Sequence, residues 1–216
     1  MSLRSAKPSE LFSRHPLFQG DASTGAIRRT DGARVAPFSG ELLHALHVAL
    51  IENSAEFAQD ALYHSGYEWA LQEMIQVNTR LQSKSTGSKL PIWQTETAVA
   101  LELWWSGFAD AGWGTCSFDF SAFAPDKGFM LAEVKNSALA AALVGAEQPM
   151  CHLYAGLFAG ALSFRQRAER HAVELQCAAL GHPSCVFLVG QGETIDRAEG
   201  WRQQGVATVE IVRQLR

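Results

Sequence analysis

At 216 residues, 47% hydrophobic and 19% charged, the chain is long enough to bury a sizeable core and too apolar for a disordered segment. Its formal net charge of -4 and the lack of any Lys/Arg-rich run give no basic face for a phosphate backbone, which argues against a nucleic-acid partner. The most apolar stretch, residues 137–146 (SALAAALVGA), falls well short of the ~20 residues that span a bilayer.

The N-terminal MSLRSAKPSELFSRHP has no apolar centre of the kind a secretion signal carries, so a cytoplasmic location is expected. Four cysteines in a reducing compartment point to metal binding or catalysis before disulfides.

The first 38 residues read as a loop-rich extension, with short apolar pieces at Ile27 and Val35 flanking the turn signal Thr30-Asp31-Gly32, a candidate hairpin. A helix is expected from Ser39, a good N-cap, with Leu42, Leu43, Leu46, Ala49 and Leu50 on its buried face. Asn53 and Ser54 end it and cap a second helix carrying Phe57, Ala61, Leu62, Trp69 and Ile75, which Gly66 is expected to kink. Residues 82–90 (QSKSTGSKL) read as a polar linker. Residues 93–112 then form a helix that is apolar nearly all round and therefore buried on more than one side.

From Trp113 the apolar period changes to two, placing Cys116, Phe118 and Phe120 on one side of a strand. The PDKG turn at residues 125–128 leads into a returning strand over 129–134. Another apolar helix covers 150–164. Residues 168–176 and 185–190 form a second hairpin around Gly181-His182-Pro183, and a helix follows over 193–204. The tail, 206–215, fits strand or helix equally well.

Helices, hairpin, helix, hairpin, helix is an order that favours an α+β fold: an antiparallel sheet built from hairpins and packed against a layer of helices. The expected organisation is an extension over 1–38, a main domain over 39–190 and a C-terminal helix and tail over 191–216.

The sharpest chemical pattern is Glu174-x-x-Cys177, then Cys185, with Cys151 at the head of the preceding helix. Two cysteines flanking a turn can aim their sulfurs at one point, and a glutamate and a helix-borne cysteine can close on it. Three thiolates and a carboxylate would make a closed tetrahedral zinc shell, suited to structure and not to chemistry. Alternatively the cysteines are small buried hydrophobes and Glu174 a surface acid. His171 and His182 are the substitute ligands if Glu174 is not one, and Cys116 reads as a core thiol.

The segment from Gly112-Trp113-Gly114 through Cys151 to VELQCAALGHPSCVFLVG resembles the 4-vinyl reductase domain family, clearly over residues 93–190. That resemblance implies a small-molecule-binding domain related to the ligand-sensing modules of aromatic-responsive transcription activators. In those modules three cysteines and a glutamate bind zinc, with the spacing of Cys151, Glu174, Cys177 and Cys185. It also implies a homodimer, a hydrophobic ligand and a link to bacteriochlorophyll metabolism.

Six Trp and twelve Phe are many for this length. Trp104, Trp105, Phe108, Trp113, Phe118, Phe120, Phe129, Tyr154 and Phe158 fall on elements expected to meet, as a plain aromatic core or, as the resemblance implies, as the lining of a ligand cavity. Phenol sensors of this kind grip the hydroxyl with a histidine and a tryptophan. Residues 93–150 contain no histidine, so a larger apolar or tetrapyrrole-like ligand fits better than a simple phenol.

No dinucleotide-binding glycine motif or nucleophile elbow occurs, and Asp119 and Glu133 read as a solvated strand face. A carrier, sensor or accessory factor is therefore the leading expectation. A vinyl reductase acting on a chlorophyll precursor, which would draw its reductant from elsewhere, and an assembly protein with a vesicle-tethering-like fold are the alternatives.

Overall fold

The computed structural model describes residues 18–29, 32–84, 96–123, 128–143 and 146–216. The TDG turn beyond its glycine, most of the polar linker, Trp93 and the PDKG turn before its glycine lie outside those residues.

A small antiparallel sheet opens the fold, with β1 (Phe18–Asp21), β2 (Ala26–Arg29) and β3 (Arg34–Val35). Ile27 pairs with Val35 as the hairpin pattern predicts, while β1 is an addition the sequence does not announce. Arg29 bonds Glu73 at 2.8 Å and so ties this sheet to the second helix.

Helix α1 (Gly40–Asn53) starts where Ser39 accepts a hydrogen bond from Leu42 N, and Ser54 accepts from Phe57 N to start α2 (Ala55–Lys84). Two expectations fail here. Leu42 and Leu46 of α1, and Phe57 and Ile75 of α2, are exposed and not buried, because the core meets a different arc of each helix. Nor does Gly66 break α2, which runs through it unbroken.

Gly66 serves instead in a close helix crossing. A Cβ at Gly66 would strike the Leu153 carbonyl of α5 (His152–Gln166), and Cβ atoms at Gly156 and Gly160 would strike the carbonyls of Tyr63 and Tyr67. Gly156 meets Tyr63 and Gly160 meets Tyr67, one turn further along both helices, so the two run side by side in the same direction.

Helix α3 (Thr97–Asp110) buries Ala100, Leu101, Trp104, Trp105 and Phe108. Gly114 has φ 108°, and a side chain there would meet the Lys135 and Asn136 carbonyls, so only glycine fits this turn into the sheet.

The main sheet comprises β4 (Thr115–Asp119), β5 (Phe129–Lys135), β6 (His171–Gln176) and β7 (Cys185–Gly190) in the order β4-β5-β7-β6, all antiparallel. Both hairpins form as the sequence predicts, and they join through β5 and β7. A short helix, α4 (Ala138–Ala142), occupies the apolar stretch before α5, and α6 (Gly192–Gln203) follows β7. The ambiguous tail is helical, α7 (Thr208–Leu215). The fold is α+β.

Strand alternation divides the sheet into two faces. Met130, Ala132, Val134, Ala172, Cys185, Phe187 and Val189 point inward to α5, α2 and α3. Phe129, Leu175 and Leu188 point outward, under Ile195 and Ala198 of α6 and Ile211 of α7.

Candidate metal centre and aromatic core

Helix α5 begins at Cys151, its N-cap. Strand β6 brings Glu174 inward, and a register irregularity between Glu174 and Gln176 turns the chain. Cys177 follows, then a short 3-10 turn over Ala178–Leu180 that ends at Gly181 with φ 88°. Cys185 opens β7. This return is what sets the eight-residue gap between the two cysteines, in place of a tight knuckle.

These four side chains, predicted from spacing, converge. Their potential ligand atoms all lie within 4.8 Å of one another and all four residues are buried. Cys151 Sγ is 3.8 Å from both Cys177 Sγ and Cys185 Sγ. The Cys151 backbone N–H donates to Glu174 Oε2 at 2.9 Å, and the Ala178 N–H donates to Cys185 Sγ at 3.3 Å. Glu174 Oε1 is buried with no hydrogen-bond partner among the described residues.

The electrostatics are those of a cation site written in protons. Burial pushes the Glu174 carboxyl well up. Hydrogen bonds from Cys151 and Cys185 pull the Cys177 thiol far down, while contacts with Cys177 and Cys185, and burial, push Cys151 up. A bound dication would favour the deprotonated form of all four groups. The cluster can hold a metal ion. Among the described residues it is the only such group of three or more His, Cys, Asp or Glu side chains. His171 and His182 are not part of it, and Cys116, on β4, is a half-buried thiol apart from it.

The aromatic residues separate into two sets. Trp105 stacks on Phe108 and on Phe158, with ring centroids 5.1 and 5.0 Å apart. Trp104 meets Phe158 edge-on, Phe118 also meets Phe158, and Tyr154 touches Trp105 and Trp113. Phe120 joins through Phe118. Phe129 does not belong with them: strand alternation puts it on the outward face, in the core under α6 and α7. Two members that sequence reasoning left out complete the inner set: Trp69, against Phe108 and Trp113, and Phe187, against Tyr154 and Phe158. Their periodicity marks them as core, but only the α2–α5 crossing and the place of β7 bring them here.

Polar tips in this cluster are mostly satisfied. Trp105 Nε1 donates to the Gly114 carbonyl at 3.0 Å and Tyr154 Oη to the Trp113 carbonyl at 2.6 Å, pinning the turn into β4. Trp104 Nε1 is the exception, buried with no acceptor among the described residues. Asp119 and Glu133 lie on the outward face as expected, and Glu133 accepts a hydrogen bond from Ser184.

A helix-backed antiparallel sheet with a buried cluster of three cysteines and a glutamate is thus the class of protein this chain represents. Residues 130–191 match the model of the V4R domain, which carries the resemblance read from the sequence. No curated protein matches the chain.

Among solved structures, the phenol-responsive sensory domain of the transcription activator PoxR, solved with phenol, is similar with a TM-score of 0.63 at 17% identity, over 91% of this chain and 92% of that one. A vinyl-4-reductase family protein from Methanocaldococcus jannaschii gives 0.41 at 20% identity, over 59% of this chain and 66% of that one. A trafficking protein particle complex subunit 3 from Naegleria fowleri, covalently bound to palmitic acid, gives 0.47 at 13% identity, over 70% of this chain and 93% of that one. The first of these likenesses shows a shared fold. No helix among the described residues is long and apolar enough to cross a membrane.

Proposed function

We propose that the chain is a zinc-stabilised domain that receives a flat hydrophobic molecule, acting as carrier, sensor or accessory factor. The observation that carries the metal half is the sulfur spacing. Zinc–sulfur bonds of about 2.3 Å at a tetrahedral angle put sulfurs ~3.8 Å apart, which is the separation from Cys151 to each of its two partners. Cys151, Cys177, Cys185 and the free oxygen of Glu174 would hold the ion. With no open position, its role is to fix the start of α5 to the end of the second hairpin.

For the ligand half, the support is the unpartnered indole N–H of Trp104 among stacked rings. A buried donor of this kind is what a ligand oxygen or nitrogen satisfies. The fold is shared with a domain solved with phenol, which agrees with a small-molecule ligand. The absence of histidine over residues 93–150 favours a larger, tetrapyrrole-like molecule.

The test is tryptophan fluorescence during titration with phenol and, separately, with a free-base porphyrin. Saturable quenching by the porphyrin that weakens in Trp104→Phe is the expected result. No saturable response to either would overturn the ligand reading.

The domain would work as a homodimer. Phe38, just ahead of α1, and Leu42 and Leu46, one turn apart within it, are exposed at 58%, 42% and 52%, apolar surface that a second copy can cover. Light scattering checks this, and a monomer at micromolar concentration would refute it.

A further inference from the structure

Between α1, the start of α2 and the first turn of α5 lies a small cavity of about 20 Å³. Two histidines line it from separate elements, His47 of α1 and His152 of α5. His47 is 4% exposed, and the Nε2 atoms of both imidazoles are buried with no hydrogen-bond partner among the described residues. Buried polar atoms are almost always satisfied, so two such nitrogens at one cavity call for a polar or cationic partner there.

We propose that His47 and His152 form a second metal site, which takes a divalent transition-metal cation separate from the cysteine–glutamate cluster. The donor chemistry selects the class. Imidazole nitrogen suits zinc, nickel, cobalt and copper and not calcium or magnesium. No carboxylate lines the cavity, and the other polar groups on its wall are the side-chain amides of Gln59 and Gln148, whose oxygens can complete the shell together with water. Ile51, Leu62 and Met150 close the rest with apolar surface. The space admits an ion with a water or two and excludes a large organic ligand.

Such an ion would have a structural consequence. His152 directly follows Cys151, so the second site would fasten α1 to the residue beside the cysteine cluster. His44 Nδ1, 2.9 Å from the Ala142 carbonyl oxygen, also ties α1 to the rest of the fold.

The experiment starts from protein whose metal content has been fixed by native mass spectrometry, then adds cobalt(II). One additional equivalent should bind, with d–d absorption and without sulfur-to-cobalt charge transfer. His47→Gln and His152→Gln should each weaken that binding by more than the about tenfold that outer-shell changes cost, with native circular dichroism retained.

A second equivalent that shows sulfur-to-cobalt charge transfer would mean exchange into the cysteine cluster and would overturn the proposal. So would cobalt binding unchanged in both glutamine variants, or no second equivalent at all, which would leave water as the occupant. With zinc in the cysteine cluster the added cobalt reads the histidine site alone. With the cluster empty, cobalt fills both sites and the equivalent without sulfur-to-cobalt charge transfer reads the histidines, so the two readings fail separately.

Discussion

The middle of α5 and its N-terminal end, little more than one helical turn apart, are joined to the rest of the molecule by different physics. In the middle the joint depends on atoms that are missing. Gly156 and Gly160 let α5 settle onto the carbonyls of Tyr63 and Tyr67, and Gly66 returns the favour at Leu153. At the end the joint depends on atoms that are present: Cys151 faces Cys177, Cys185 and Glu174 in one buried cluster. A glycine contact is rigid, dry and indifferent to pH or chelators. A metal-bridged cysteine–glutamate joint would be conditional, because its ligands would have to lose protons and gain a cation. On the proposed reading one helix has a fixed pivot and a chemically switchable end.

Breaking the switchable end should have the largest effect. Cys177→Ser, or treatment with a strong chelator, should remove the bound metal and cost about 3–5 kcal/mol, as breaking a buried charge-paired cluster does. Native mass spectrometry and a thermal melt read both parts. No metal by mass would show that the cluster is a plain thiol core, and a melt unmoved by metal loss would show that the ion does not hold the fold together.

Breaking the pivot comes next. Gly156→Val drives a side chain into the Tyr63 carbonyl and should cost about 3 kcal/mol as overpacking against backbone, visible as a lower denaturant midpoint. The comparison sharpens if this variant keeps its metal, and fails if both joints are lost together.

A smaller effect separates them by pH. Burial, helped by the His47 charge, holds His152 down at about 4 from 6.5, so the unfolded chain takes up a proton the native chain refuses. The stability this group protects is complete above pH 6.5 and is lost as the pH falls from about 6.5 to about 4. His152→Gln should flatten that part of the stability–pH curve, whereas Gly156→Val should shift the whole curve without changing its shape.

At the far end of α5, Ser163 Oγ accepts from Arg170 N at 2.8 Å, and Ser163→Ala should cost about 1 kcal/mol as a single lost hydrogen bond. Smallest of all, Leu46→Ser on the exposed stripe of α1 should change monomer stability by no more than about 0.5 kcal/mol.

What the sequence by itself determined was local. Ser39 and Ser54 fix helix starts because their side chains cap backbone N–H groups a few residues away. The period-two run from Trp113 fixes a strand because alternation is a property of the strand alone. The spacing of Cys151, Glu174, Cys177 and Cys185 marked the candidate metal centre, since those side chains carry their chemistry wherever they lie.

Only the tertiary structure decided the rest. It placed β7 between β5 and β6, a pairing between segments more than fifty residues apart. It turned Gly66 from an expected kink into a contact, and it exposed Leu42 and Leu46. It put Phe129 on the far side of the sheet from the aromatic set that Trp69 and Phe187 complete. An apolar period says that an element has two faces, but which face is buried, and against what, is set by partners distant in the chain.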